Sequence, residues 1–82
     1  MKTKKINKVL DVLKKANTIQ CFTLEDDMDI MVDYFNPDVI CDPEIPEMVI
    51  AGELGAVFTD DLEHAIIEDN VIKTKDYLIQ LH

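Results

Sequence analysis

The chain has no arginine, no serine and no tryptophan, and only two glycines and two cysteines among its 82 residues. Without serine there is no attachment point for the prosthetic arm of a carrier domain, which removes that class of small acidic protein. The two glycines, Gly52 and Gly55, lack the strand, lysine and hydroxyl context of a phosphate-cradling loop and read as turn residues. Cys21 and Cys41 show no CxxC spacing, so both are expected as free thiols in a reducing compartment. The longest apolar run, residues 48–52, is broken by Glu53, far short of the roughly 18 residues that cross a bilayer. The basic start is interrupted by polar and charged residues where a signal peptide is apolar. The expected location is cytoplasmic.

Metal and catalytic signatures are equally thin. His64 and His82 have no second ligand at a spacing that completes a tetrahedral site with either cysteine. Asp27, Asp29 and Asp33 lack the glycine and the closing acid of a calcium loop. Ala51, Gly55, Val57, Leu62 and Ile66 loosely imitate a helix-turn-helix. Its recognition helix, however, would present Asp60, Asp61, Glu63, Glu68 and Asp69 to phosphate, with no basic residue. No cofactor, metal or enzymatic activity is expected, and no motif points to a family.

What is present is charge, unevenly laid out. Seventeen acids face eight lysines, a net charge of −9. Residues 1–17 hold six lysines against Asp11 alone, a net of +5, and residues 18–82 hold sixteen acids against Lys73 and Lys75, a net of −14. Eleven of the acids are aspartates, which favour caps and turns because the short side chain bonds nearby amides. Capping alone does not need so large an excess. A field of that sign repels nucleic acid and anionic lipid, and it speeds encounter with basic proteins.

Apolar residues make up 48% of the chain, enough for one modest core. A chain this size buries roughly 60–65% of its unfolded surface and has net stability on the order of 4–12 kcal/mol, which favours a surface function over an enclosed site. Ile6, Val9, Leu10 and Leu13 recur at the spacing of an amphipathic helix ending near Asn17. Residues 18–24 are rich in β-branched and aromatic residues and read as a strand. Residues 24–35 fit either a helical stripe or, preferably, a hairpin over Glu25-Asp26-Asp27. Residues 48–58 read as two short strands about the glycine turn. A helix is expected near residues 60–69, opened by Asp60 and Asp61 and stopped at Asn70. The segment 77–81 reads as a closing strand, with a short helix capped by Thr74 as the other possibility.

These elements predict a single α+β domain: an N-terminal amphipathic helix, a small mostly antiparallel sheet and a short second helix. A small all-α bundle is the alternative. Pro37, Pro43 and Pro46 make residues 37–47 a stiff, extended, acidic surface loop. The expected function is a non-enzymatic inhibitor that occludes the basic surface of a nuclease or other nucleic-acid-binding protein by imitating phosphate. Phage-encoded inhibitors and immunity proteins share this size and charge, an analogy of composition. The contact residues expected are Asp38, Asp42, Glu44 and Glu47 on the proline loop, then Asp26, Asp27, Asp60 and Asp61. A structural subunit that self-associates through apolar residues 48–58 is the second expectation.

Overall fold

The computed structural model describes residues 2–42 and 44–82, with side chains from residue 4 onward; Pro43 lies outside the described residues. Helix α1 (Lys2–Lys14) buries Ile6, Val9, Leu10 and Leu13 and turns Lys4, Lys8, Asp11 and Lys14 outward. The helix ends three residues before Asn17 because its last turn tightens: Lys15 N–H bonds Val12 O and Ala16 N–H bonds Leu13 O, both at 3.2 Å. The amide of Asn17 then leaves the helix for the carbonyl of His82 at 2.8 Å.

Among the described residues seven strands follow, in two antiparallel sheets rather than one, so the all-α alternative is excluded. The first sheet has the order β1-β7-β6-β5, built from β1 (Ile19–Thr23), β7 (Tyr77–Leu81), β6 (Val71–Lys73) and β5 (Ile66–Glu68). The second has the order β2-β3-β4, from β2 (Val32–Phe35), β3 (Met48–Gly52) and β4 (Gly55–Phe58). β1 runs in unbroken register against β7, from Ile19 opposite Leu81 to Thr23 opposite Tyr77. Thr74 caps the entry to β7, accepting from the amide of Tyr77 at 3.0 Å, so the closing segment is a strand and Thr74 opens no helix.

Two sequence expectations are corrected. The second helix does not reach residue 69: it is a 3-10 helix, Thr59–His64, and Ala65 is already extended with ψ 145°. Ile66 and Ile67 are adjacent β-branched residues, which lose side-chain freedom in a helix and suit a pleated strand. Asn70, expected as the helix stop, sits with Asp69 in the two-residue turn between β5 and β6, where Glu68 opposes Val71. Asp69 takes a left-handed φ of 49° there.

Residues 24–35 make a turn where the hairpin was expected, but the hairpin is not completed. Asp27 N–H bonds Thr23 O, Thr23 N–H bonds Met28 O and Ile30 N–H bonds Cys21 O, each at 2.9 Å. At Met31, with φ 53°, the chain swings away, held by its amide donating to Asp29 Oδ1 at 2.8 Å. β2 therefore pairs with β3 instead of β1.

The β3–β4 hairpin is as expected, with Glu53 and Leu54 between Gly52 and Gly55. Its register shifts between Met48 and Ile50, so Val49 and Ile50 together oppose Val57. Such a bulge turns two consecutive side chains toward one side, and Val49 and Ile50 are both fully buried. They join Val57, Leu62, Ala65, Ile72, Ile79 and the α1 residues in one core. The opposite side of the second sheet presents Tyr34, Ala51 and Ala56 in one row and Met48 opposite Phe58 in the next.

Candidate functional site

The loop of residues 36–47 is tied at both ends to the open end of the β3–β4 hairpin. At its entry Asn36 N–H bonds Val49 O at 2.8 Å. At its exit Glu47 and Thr59 exchange two bonds: Thr59 N–H to Glu47 O at 2.8 Å, and Glu47 N–H to Thr59 Oγ1 at 3.0 Å. Between the anchors the polar side chains fold the loop on itself. Asn36 Oδ1 accepts from the Asp38 amide at 3.2 Å, and Asp42 Oδ1 accepts from the Glu44 amide at 2.8 Å. These are the short-range bonds for which Asx residues are selected in turns.

The loop's alternation decides what it displays. Val39 and Cys41 pack against the core, so Ile40 between them points away and is 82% exposed. Ile45 is 59% exposed. Both isoleucines stand among the exposed acids Asp38, Asp42, Glu44 and Glu47. Of these, Asp38 meets a lysine, Lys14 Nζ at 3.5 Å, with both side chains well exposed. An open groove of about 450 Å³ lies between the loop and the second sheet, with Tyr34, Val39, Ile40 and Met48 as its apolar lining and Asp38 and Glu47 as its charged lining.

The structure brings six of the eight sequence-expected residues to this end of the second sheet. Asp60 and Asp61 open the 3-10 helix next to Thr59, the residue that anchors Glu47. Asp61 Oδ2 accepts from the Phe58 amide at 2.9 Å, a capping bond, while Asp60 is exposed. Asp26 and Asp27 do not join them. They occupy the turn after β1, near Lys75, Asp76 and Tyr77. That is the other end of the second sheet, since a Cβ on Gly55 would lie 2.5 Å from the Tyr77 hydroxyl. Sequence reasoning did not single out Tyr34 and Ile40 as surface residues, and it took residues 48–58 as one apolar face without separating exposed Met48 and Phe58 from buried Val49, Ile50 and Val57. The signal for Ile40 was its place among acids in a proline loop; Met48 is set by the bulge at Val49 and Ile50, and Tyr34 by a second register shift between Val32 and Tyr34.

The thiols and histidines are spread out. Cys21 is fully buried and Cys41 half-buried, and both are free. Burial pushes the Cys21 thiol up to about 12, with the Asp29 carboxylate adding to the shift. That is the reverse of an activated nucleophile, which needs a lowered pKa. His64 is exposed on the 3-10 helix, with Nε2 at 4.0 Å from Glu63 Oε1, and His82 Nε2 lies 2.9 Å from Gln20 Oε1. Among the described residues no group of three or more His, Cys, Asp or Glu side chains could hold a metal ion, and no helix is long and apolar enough to cross a membrane. No known protein family, curated protein or solved structure matches the chain.

Proposed function

We propose that this chain is a non-enzymatic binding protein that occludes a basic surface of another protein, its carboxylates standing in for the phosphates of a nucleic acid. The partner class is a nuclease or other nucleic-acid-binding protein. The observation that carries the reading is the loop of residues 36–47. It is anchored at both ends, yet it holds Asp38, Asp42, Glu44 and Glu47 in water beside the exposed Ile40 and Ile45. A loop ordered before binding loses less entropy on docking, and carboxylates in water attract a basic surface from a distance.

The test is an affinity capture with nuclease treatment, followed by kinetics on the recovered protein. One basic protein retained after nuclease treatment and released by salt supports the reading. With that partner, the combined change Asp38→Asn, Asp42→Asn, Glu44→Gln and Glu47→Gln should lower the association rate about tenfold or more at low salt and leave dissociation nearly unchanged. Asn at position 42 keeps the oxygen that accepts from the Glu44 amide, so the loop is retained while its charge is removed. Unchanged kinetics would overturn the assignment to this loop.

A second reading is self-association. It draws on Met48 and Phe58, exposed opposite each other on the outer side of the second sheet. Val49, Ile50 and Val57 are fully buried and unavailable to a partner, so only that outer row could serve. Light scattering over a concentration series separates the readings: a monomeric mass throughout rejects the assembly subunit.

A further inference from the structure

We infer that the groove between the second sheet and the loop is where the partner docks, and that it takes a segment with an apolar side chain flanked by lysine or arginine. The inference rests on the proposed reading of a basic partner and adds the recognition chemistry. Tyr34, Val39, Ile40 and Met48 are the apolar lining of the open groove, and Glu47 and Asp38, the latter beside Lys14, line it too. An exposed isoleucine and methionine in one concave site are an affinity feature that phosphate imitation does not require, because phosphate sites are recognised by charge and hydrogen bonds. A partner that bound only through its phosphate pocket would leave this apolar surface wet.

Charge selects the occupant. A two-fold dimer through this face would set the acidic patch of one copy, with Glu47 and the loop's other acids, against the same patch of the other, and like charges placed face to face in an interface are costly. A nucleic acid is repelled for the same reason. A protein segment with basic residues on either side of an apolar one meets both the lining and its rim. Central apolar anchors surrounded by polar contacts are how such interfaces concentrate their affinity.

The test uses two synthetic peptides of equal length and charge, one with leucines spaced between lysines and one with serines in place of the leucines. Each is titrated into the isotope-labelled full chain at about 0.15 M salt, with backbone amide shifts as readout. The leucine peptide is expected to move the amides of Tyr34, Ile40 and Met48 and to bind about tenfold or more tightly than the serine peptide. Ile40→Ser should remove most of that difference; the side chain is 82% exposed, so the fold tolerates the change. Met48→Ser is the second variant, accepted only if its amide spectrum away from the groove is unchanged. Equal binding of the two peptides, with shifts spread over Asp26 and Asp27 as well, overturns the groove while leaving the broader reading of a basic partner standing. Absence of shifts with either peptide overturns the groove too, and the affinity capture then decides the broader reading independently. A mass doubling in the absence of peptide replaces the basic segment with a second copy and also overturns the inference.

Discussion

Gly52 and Gly55 face each other across one turn, but different neighbours require them. A Cβ at Gly52 would collide with the backbone carbonyl of Ile30 and lie 2.6 Å from that of Met31, whereas a Cβ at Gly55 would meet the hydroxyl end of Tyr77. Backbone cannot step aside and a tyrosine ring can. Gly52→Ala is therefore expected to lower the unfolding free energy by about 2 kcal/mol or more and Gly55→Ala by less, read from urea midpoints at constant slope. Asp69→Gly should act in the other direction, raising stability by about 0.5–1 kcal/mol, because φ 49° at the first position of a two-residue turn suits glycine better than any residue with a Cβ. Cys21 and Cys41 should separate by thiol titration near neutral pH: Cys41 reacts in the folded protein, and buried Cys21 only on unfolding. The folded state holds the Cys21 proton more tightly than the unfolded chain does, so its contribution to stability is complete below the ordinary thiol value of 9.0 and is lost as pH rises from there toward about 12. The glycines were legible in the sequence as a turn. Why Gly52 cannot be alanine was not, because the carbonyls it must clear come from a segment more than twenty positions earlier in the chain.

At the scale of elements, α1, β1, β7 and the β3–β4 hairpin could be read directly, each from a repeat long enough to show its period or from a turn with its residues in place. The 3-10 helix and β5 could not be told apart in advance. A three-residue strand contains barely one alternation, and Glu68-Asp69-Asn70 serves a hairpin as well as it serves a helix end. The 3-10 helix nevertheless holds a central place, since Leu62 is fully buried where α1 packs against it. Leu62→Ala should cost about 2–5 kcal/mol in denaturant unfolding, and a loss under about 1 kcal/mol would mean that the helix is peripheral. The candidate site was legible as charge and illegible as shape. Four acids in a proline loop stand out in the sequence, but whether Met48 or Val49 faces water depends on one inserted residue in the β3 ladder, and periodicity alone cannot locate such a shift.

For the whole molecule the governing quantity is the net charge of −9. Sixteen acids share a body whose own lysines are two, so like-charge repulsion should weaken the compact state at low ionic strength. The melting temperature is expected to rise as sodium chloride increases from about 0.02 to 0.5 M, and a flat or falling dependence would show that the surface carboxylates lie too far apart to matter. The first sheet adds a constraint of another kind. Its β1–β7 pairing, at one edge, sets residues 19–23 against residues 77–81, while β3 and β4 find each other within residues 48–58. β3 meets β4 across the two residues Glu53 and Leu54, whereas β1 cannot pair until residues 77–81 reach it. Pairings this distant in sequence are slow to close, so a folding chain carries β1 with its apolar face uncovered after the β3–β4 hairpin has formed. That interval, rather than the finished fold, is when the chain is most exposed to aggregation and proteolysis.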